Sequence, residues 1–212
     1  MSYTKLQICN KALGLLSAES IPSNCSDPIH LNQTDCENAG KTWTDPFLVN
    51  PTNEAILCHN QYDILYDALL IEHMWTFATT SVEQTPIAST TPFEGYTFNT
   101  PKPATSIRII SVTDINKVSV PWALSGGYIY TNSADKIIIT YISKSEAVDV
   151  DSALFADVLS LRIAAELCYT LTSSSKLYDF LTKQYESKLY NATNIDSMQG
   201  TNVNITYRGF AR

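Results

Sequence analysis

Apolar residues recur along this chain in two rhythms, and the switch between them divides it. In Tyr3–Leu16, the residues Leu6, Cys9, Leu13 and Leu16 return every three or four positions. That is the single stripe of an amphipathic helix, with Thr4 or Ser2 placed to cap its start. Ser23–Pro51 keeps no period, holds Gly40 with Pro28, Pro46 and Pro51, and reads as a long loop. A second helix is expected over Asn53–Thr79, opened by Thr52 or Asn53 as cap and Glu54 in the first turn. Cys58, Tyr62, Leu65, Leu69 and Trp75 or Thr76 form its main stripe, and Tyr66, Leu70 and Phe77 widen it. A helix apolar over so much of its circumference is expected to pack on two sides.

Ser81–Lys102 is polar, carries Pro86, Pro92 and Pro101, and reads as a connector. From Thr105 the period shortens: Ile107, Ile109 and Ser111 alternate with Arg108, Ile110 and Val112. Short β-rich runs follow at Ser119–Trp122, Tyr128–Thr131 and Lys136–Ile142. Turn-forming groups at Asp114–Asn116, Ser125–Gly127 and Asn132–Asp135 separate them. This predicts one small antiparallel sheet of about three or four strands. The helical rhythm then returns over Ser152–Leu171, with Asp149 or Asp151 as cap, and over Lys176–Asp196. Only Thr172–Ser175 separates these two, so they are expected to form an antiparallel hairpin. After Met198 the chain is polar and ends in an aromatic and basic cluster, read either as a frayed terminus or as an arm that orders on a partner.

Charge and composition narrow the function classes. The 212 residues carry a formal net charge of -7 and contain no Lys/Arg-rich run, so tight binding to the phosphate backbone is not expected. An acidic wall could still surround DNA and let it slide past, since it repels phosphate. No stretch reaches the roughly 18 apolar residues of a membrane helix. Met1–Leu6 leads into no apolar cleavage-site pattern, so no signal peptide is expected.

Catalytic signatures are missing from the sequence. It contains no GxGxxG, P-loop, GxSxG or HExxH pattern, and its histidines are His30, His59 and His73. His59, Asp63 and Asp67 share a helical face, as metal ligands would, but spacing of four also describes a solvated or subunit-facing stripe. Cys58 and His59 adjoin, yet helix neighbours point about 100° apart, so they make no nucleophile–base pair. Carboxylate pairs could be drawn from Asp149, Asp151 and Asp157, or from Glu54 and Asp63, and nothing in the sequence marks any pair as perturbed. No catalytic, cofactor-binding or metal-binding residue is assigned. Of five cysteines, Cys9, Cys58 and Cys168 fall in apolar helical stripes. Cys25 and Cys36 lie in the loop, where three states are open: a disulfide contributing about 3 kcal/mol by loop closure, a zinc site with His30, or free thiols.

Four segments in order resemble the tail tubular protein A family, the head-to-tail adaptors of short-tailed bacteriophages. They are Ile8–Leu16; Cys58 with Tyr62-Asp63, Leu69-Leu70 and His73–Ala78; Ser106–Val112 with Gly127–Thr131 and Ile139–Ile142; and Ala164–Ser174 with Tyr185, Ala192 and Asp196. The resemblance spans residues 3 to 20 and 52 to 200. Met74 departs from a His-Pro-Trp-like run, and the Cys25–Cys36 loop looks like an insertion. The resemblance implies an α+β, mainly α fold: a four-helix bundle core, an inserted small antiparallel β subdomain, a long N-terminal loop insertion and an extended C-terminal arm. The corresponding units are 1–80 with the loop 21–51, 81–148, 149–197 and 198–212. It further implies a virion structural protein and not an enzyme: a ring of twelve copies between portal and tail nozzle, with tail fibres as a further partner, no membrane, and DNA passing non-specifically through its lumen. Such a ring belongs to the tail neck of a virion assembled in the host cytoplasm. Related adaptors set a C-terminal extension against the portal, which carries over here to Tyr207, Arg208, Gly209, Phe210 and Arg212. Two other expectations stand beside this one: a head-completion protein of a long-tailed phage, and a tail-associated cell-wall hydrolase, which would need two carboxylates at a set separation.

Overall fold

A computed structural model describes residues 3–23, 25–27, 29–30, 33–144 and 152–198. Helix α1 (Lys5–Leu15) starts at Thr4, whose hydroxyl accepts the Gln7 N–H at 3.2 Å while the Gln7 side chain accepts the Thr4 N–H at 3.0 Å. This capping box satisfies two donors that a helix start otherwise leaves open. The loop contains a short helix, α2 (Gln33–Asn38). Helix α3 (Asn53–Glu72) is capped by Thr52, α4 (Ala153–Thr172) by Ser152, and α5 (Ser175–Ser197) by Ser174. Ser152 therefore takes the cap expected of Asp149 or Asp151, which lie outside the described residues. Ser173, in the left-handed conformation at φ 53°, closes α4, and Ser174 opens α5 directly after it, so two residues turn the hairpin.

Among the described residues, seven strands form two antiparallel sheets. In one, β1 (Thr79–Gln84), β7 (Ile137–Ser143) and β4 (Ser106–Asp114) lie in the order β1-β7-β4. In the other, β2 (Ile87–Phe93), β3 (Tyr96–Pro101), β6 (Tyr128–Thr131) and β5 (Trp122–Ser125) lie in the order β2-β3-β6-β5. The four-helix bundle core with one small inserted sheet is overturned by this arrangement. Within the helical part, α4 is the hub on which α1, α3 and α5 each pack. With 11 residues, α1 is about 17 Å long and cannot line the roughly 30 Å of α3 or α4, so no four matched helices close a bundle.

The polar segment read as a connector is where three of the strands lie: most of β1, and all of β2 and β3. β2 leaves most of its side chains exposed, so it has no buried face for an apolar alternation to mark. Serine and threonine fill it instead. In β4 the buried positions Ser106, Ile109 and Val112 recur every third residue, because register shifts at Ser106/Arg108 and Ile109/Ser111 turn the strand between them.

The second helix ends at Glu72, seven residues before the expected Thr79, because the chain beyond it folds back. The Trp75 indole N–H donates to Leu69 O at 2.9 Å, and the Arg108 guanidinium donates to Ile71 O at 2.9 Å. Both supply donors to carbonyls that a helix end leaves open. Trp75 and Phe155, each 0% exposed, meet edge to face with centroids 5.1 Å apart. Tyr66 and Phe77 pack on Phe155 in the same way at 5.3 and 5.2 Å. A second apolar cluster between the sheets holds Ile109, Val112, Ile129, Ile137, Ile139 and Tyr141.

Asp196, near the end of α5, is 5% exposed and ties the helix to the turn after α3. Its carboxylate accepts the Thr76 N–H at 3.0 Å and the Thr76 hydroxyl at 2.6 Å. His73 Nε2 lies 3.3 Å from it, off the line of a hydrogen bond, so that contact is an ion pair only when the imidazole is protonated. Replacing Asp196 with Ala strips the acceptor from both Thr76 donors and is expected to cost about 2 kcal/mol. Asp196→Asn keeps one acceptor oxygen and should cost less than half of that. Urea unfolding of the two variants checks the order.

Candidate assembly surfaces

α3 carries Glu54, Asp63, Asp67 and Glu72 and no lysine or arginine. Its inner face, with Tyr62, Leu65, Tyr66, Leu69 and Leu70, is buried in the main core. Its outer face carries three isoleucines among polar side chains, with Asn60 between Ile56 and Ile64 and Asp67 between Ile64 and Ile71. Ile56, Ile64 and Ile71 are 44%, 65% and 42% exposed, and at about 100° per residue they fall within roughly 80° of one another. The sequence expectation of packing on two sides anticipated an apolar outer face but gave no weight to these three isoleucines. Their spacing of eight and seven was the available signal. α5 shows a second open face, with Phe180 56% and Tyr190 69% exposed, and Met198 just beyond its end 82% exposed.

The polar groups of α3 are held by lysines and an arginine from other elements. Lys5 Nζ lies 3.3 Å from His59 Nδ1 and 3.6 Å from an Asp63 carboxylate oxygen. It also sits over the rings of Phe47 and Tyr62, at 5.3 and 4.8 Å from their centroids. Asp67 pairs with Lys144 at 2.7 Å. His59 and Asp63 thus meet around an ammonium group, and Asp67 turns to a different cation. Among the described residues, no group of three or more His, Cys, Asp or Glu could hold a metal ion. Glu72 accepts from Arg162 at 2.6 Å and from the Tyr185 hydroxyl at 3.0 Å. Burial first, then the nearby Glu72 carboxylate, pushes the Tyr185 phenol up to about 12.

Cys58 and His59 diverge as helix geometry requires. Cys58 and Cys9 are both fully buried in the same core. The neighbouring Cys58 thiol, then burial, push the Cys9 thiol well above its ordinary value. Glu54 and Asp63, nine positions apart on one helix, lie about 180° apart around it and face no common cleft. Asp157 pairs with both Lys11 and Lys188. An open hollow of about 310 Å³ beside Trp75 and Phe77 contains one carboxylate, Asp196, already held by Thr76 and His73.

In the loop, Cys25 and Cys36 form a disulfide with Cα atoms 5.9 Å apart. This decides among the three states and rules out the zinc reading with His30, since both sulfurs are consumed. The bridge pins α2 to a short ladder in which Cys25 pairs with Trp43 and the Ser26 N–H donates to Thr42 O at 3.0 Å. Cys36 is fully buried beneath α2, although the segment has little other core. The proposed docking residues Tyr207, Arg208, Gly209, Phe210 and Arg212 lie outside the described residues.

Among known proteins, no family model and no curated sequence matches this chain.

The loop gives a direct test. Cys25→Ser/Cys36→Ser removes about 3 kcal/mol of loop-closure stabilisation from this segment. Limited proteolysis should then cut between residues 25 and 50 at least tenfold faster, while helical circular dichroism stays within a few per cent of the parent. Equal cleavage rates would mean the bridge adds nothing to the order of the loop.

Proposed function

We propose that the chain is a structural subunit of a multi-copy ring, the adaptor that joins the portal of a phage head to a short tail. The observation that carries this reading is the open isoleucine ridge of α3, Ile56, Ile64 and Ile71, on a helix whose opposite face already fills the core. Leaving three half-exposed isoleucines in water on one ridge is unfavourable for a monomer, by about 1 kcal/mol for each side chain whose remaining exposure a partner removes. A neighbouring copy removes that exposure. The ordered resemblance to tail tubular protein A adaptors points to the same class.

The work of such a ring is mechanical. It closes the portal exit after packaging, seats the tail nozzle and leaves a channel. A net charge of -7 suits the channel, because an acidic lumen repels phosphate and gives DNA nothing to bind as it passes. Twelve copies of 23.5 kDa give a ring of about 282 kDa. Native mass spectrometry of the protein, alone and with portal rings of the same phage, should give that mass, either free or added to the portal. A monomer in both samples would sink the adaptor reading.

The chain beyond Met198, with Tyr207, Arg208, Phe210 and Arg212, is the segment assigned to portal contact. Truncation after Met198 is expected to leave thermal unfolding unchanged and to abolish co-sedimentation with portal rings. Undiminished co-sedimentation would move portal contact elsewhere on the molecule.

A further inference from the structure

Two helix ridges on this chain are complementary to each other but cannot meet within one copy. The ridge of α3 is aliphatic and acidic: Ile56, Ile64 and Ile71, with Asp63 beside them at 63% side-chain exposure, on a helix without a single cation. The ridge of α5 presents aromatic side chains with two lysines, and the exposed Asp179 and Glu186 flank it on one side. Lys176, Phe180, Lys183 and Tyr190 are all exposed, follow at spacings of four, three and seven, and fall within about 80° around the helix. Lys176 and Lys183 form no ion pair among the described residues. Within one copy, the buried side chains of both helices are held in the same core, Leu65 and Leu69 from α3 and Leu181 and Ala192 from α5, which turns both ridges outward.

We infer that the α3 ridge of one copy packs against the α5 ridge of the next, and that this head-to-tail contact is what closes the ring. The inference rests on the adaptor reading above and specifies its subunit interface. Charge selects this pairing over its alternatives. An α5–α5 contact sets unpaired lysines against each other, and an α3–α3 contact sets two copies of Asp63 together, a carboxylate 63% exposed with its Lys5 partner 3.6 Å away. Only the mixed contact brings opposite charges to the edges of an apolar seam. Length agrees as well, since helices of 20 and 23 residues run about 30 and 35 Å. Because the two surfaces differ, the contact is heterologous, and repeating it generates a closed ring when the rotation per subunit closes. Asp63 and Lys183 each lie near the middle of their helix, so they come close whichever way the two helices run.

A charge exchange tests the pairing. Asp63→Lys and Lys183→Glu are made separately in the full chain, with circular dichroism and thermal unfolding as controls for folding. Ile64→Ser, at a position 65% exposed, serves as a third variant that leaves the charges and the Lys5 contacts of Asp63 in place. Assembly is read by native mass spectrometry with portal rings present. Each single variant is expected to lose at least tenfold of the multi-copy species. An equimolar mixture of Asp63→Lys and Lys183→Glu should recover it, because alternating subunits put every lysine opposite an acid. Single variants that assemble like the parent overturn the interface while leaving the ring reading intact. Single variants that fail both alone and mixed overturn the pairing of these two ridges. A parent chain that stays monomeric with portal rings overturns the ring reading and the interface together.

Discussion

The edge-to-face contact of Trp75 with Phe155 is the constraint on which the rest of the structure hangs. Both side chains are fully enclosed, and they come from opposite halves of the chain, one just past α3 and the other in the first turn of α4. Joining them requires every residue between to leave and return. The sheets are therefore an excursion from the helical layer, entered at Thr79 and left at Ser143, whose strands β1 and β7 pair from residue 79 against residue 142. Satisfying the Trp75 indole at Leu69 O ends α3, and the same turn presents the Thr76 donors to Asp196 at the far end of α5. Helix termination, sheet entry and docking of the last helix thus follow from burying one tryptophan. Its polar N–H needs a partner once water is removed.

Loop 25–50 obeys different physics. It is joined to the body through partly buried aromatics such as Trp43 and Phe47, and it supplies little apolar area of its own. A covalent bridge between Cys25 and Cys36 replaces that missing core by limiting the unfolded alternatives. The contrast with Cys9 and Cys58 is instructive. Those thiols are as deeply buried but lie in a core that needs no staple, and they act as small apolar groups.

Charge is sorted by role. Carboxylates near the core are matched one by one: Asp63 to Lys5, Asp67 to Lys144, Glu72 to Arg162 and Tyr185, and Asp157 to two lysines. Among the described residues Lys176 and Lys183 form no ion pair, and they lie on a helix face with the exposed Phe180 and Tyr190. Pairing them within the fold was open to the chain, since Asp179 and Glu186 lie on the same helix. Their exposure fits a surface shaped for a second molecule.

The sequence by itself determined the long helices, because a 3.6-residue apolar period survives in a single stripe wherever one face is buried: Leu6, Cys9 and Leu13 in α1, and Leu154, Val158, Leu161 and Cys168 in α4. The threonine caps Thr4 and Thr52 were legible for the same reason, since their effect is local, whereas at α4 Ser152 took the cap expected of Asp149 or Asp151. What only the tertiary structure decided was everything that depends on distant partners. β2 leaves Thr90 and Thr91 exposed, so no alternation marked it, and pairing with β3 made it a strand; β3 does alternate Tyr96 and Phe98 with Thr97 and Asn99, but among prolines and polar residues. The arrangement of helices around α4 in place of a bundle depended on the length of α1 against its neighbours. The state of Cys25 and Cys36 depended on how close the folded loop brings them. The open ridge of α3 was visible only as isoleucines in a helix already rich in apolar residues. Burial is a property of the whole packed molecule, and no local pattern reports which of two apolar faces water will reach.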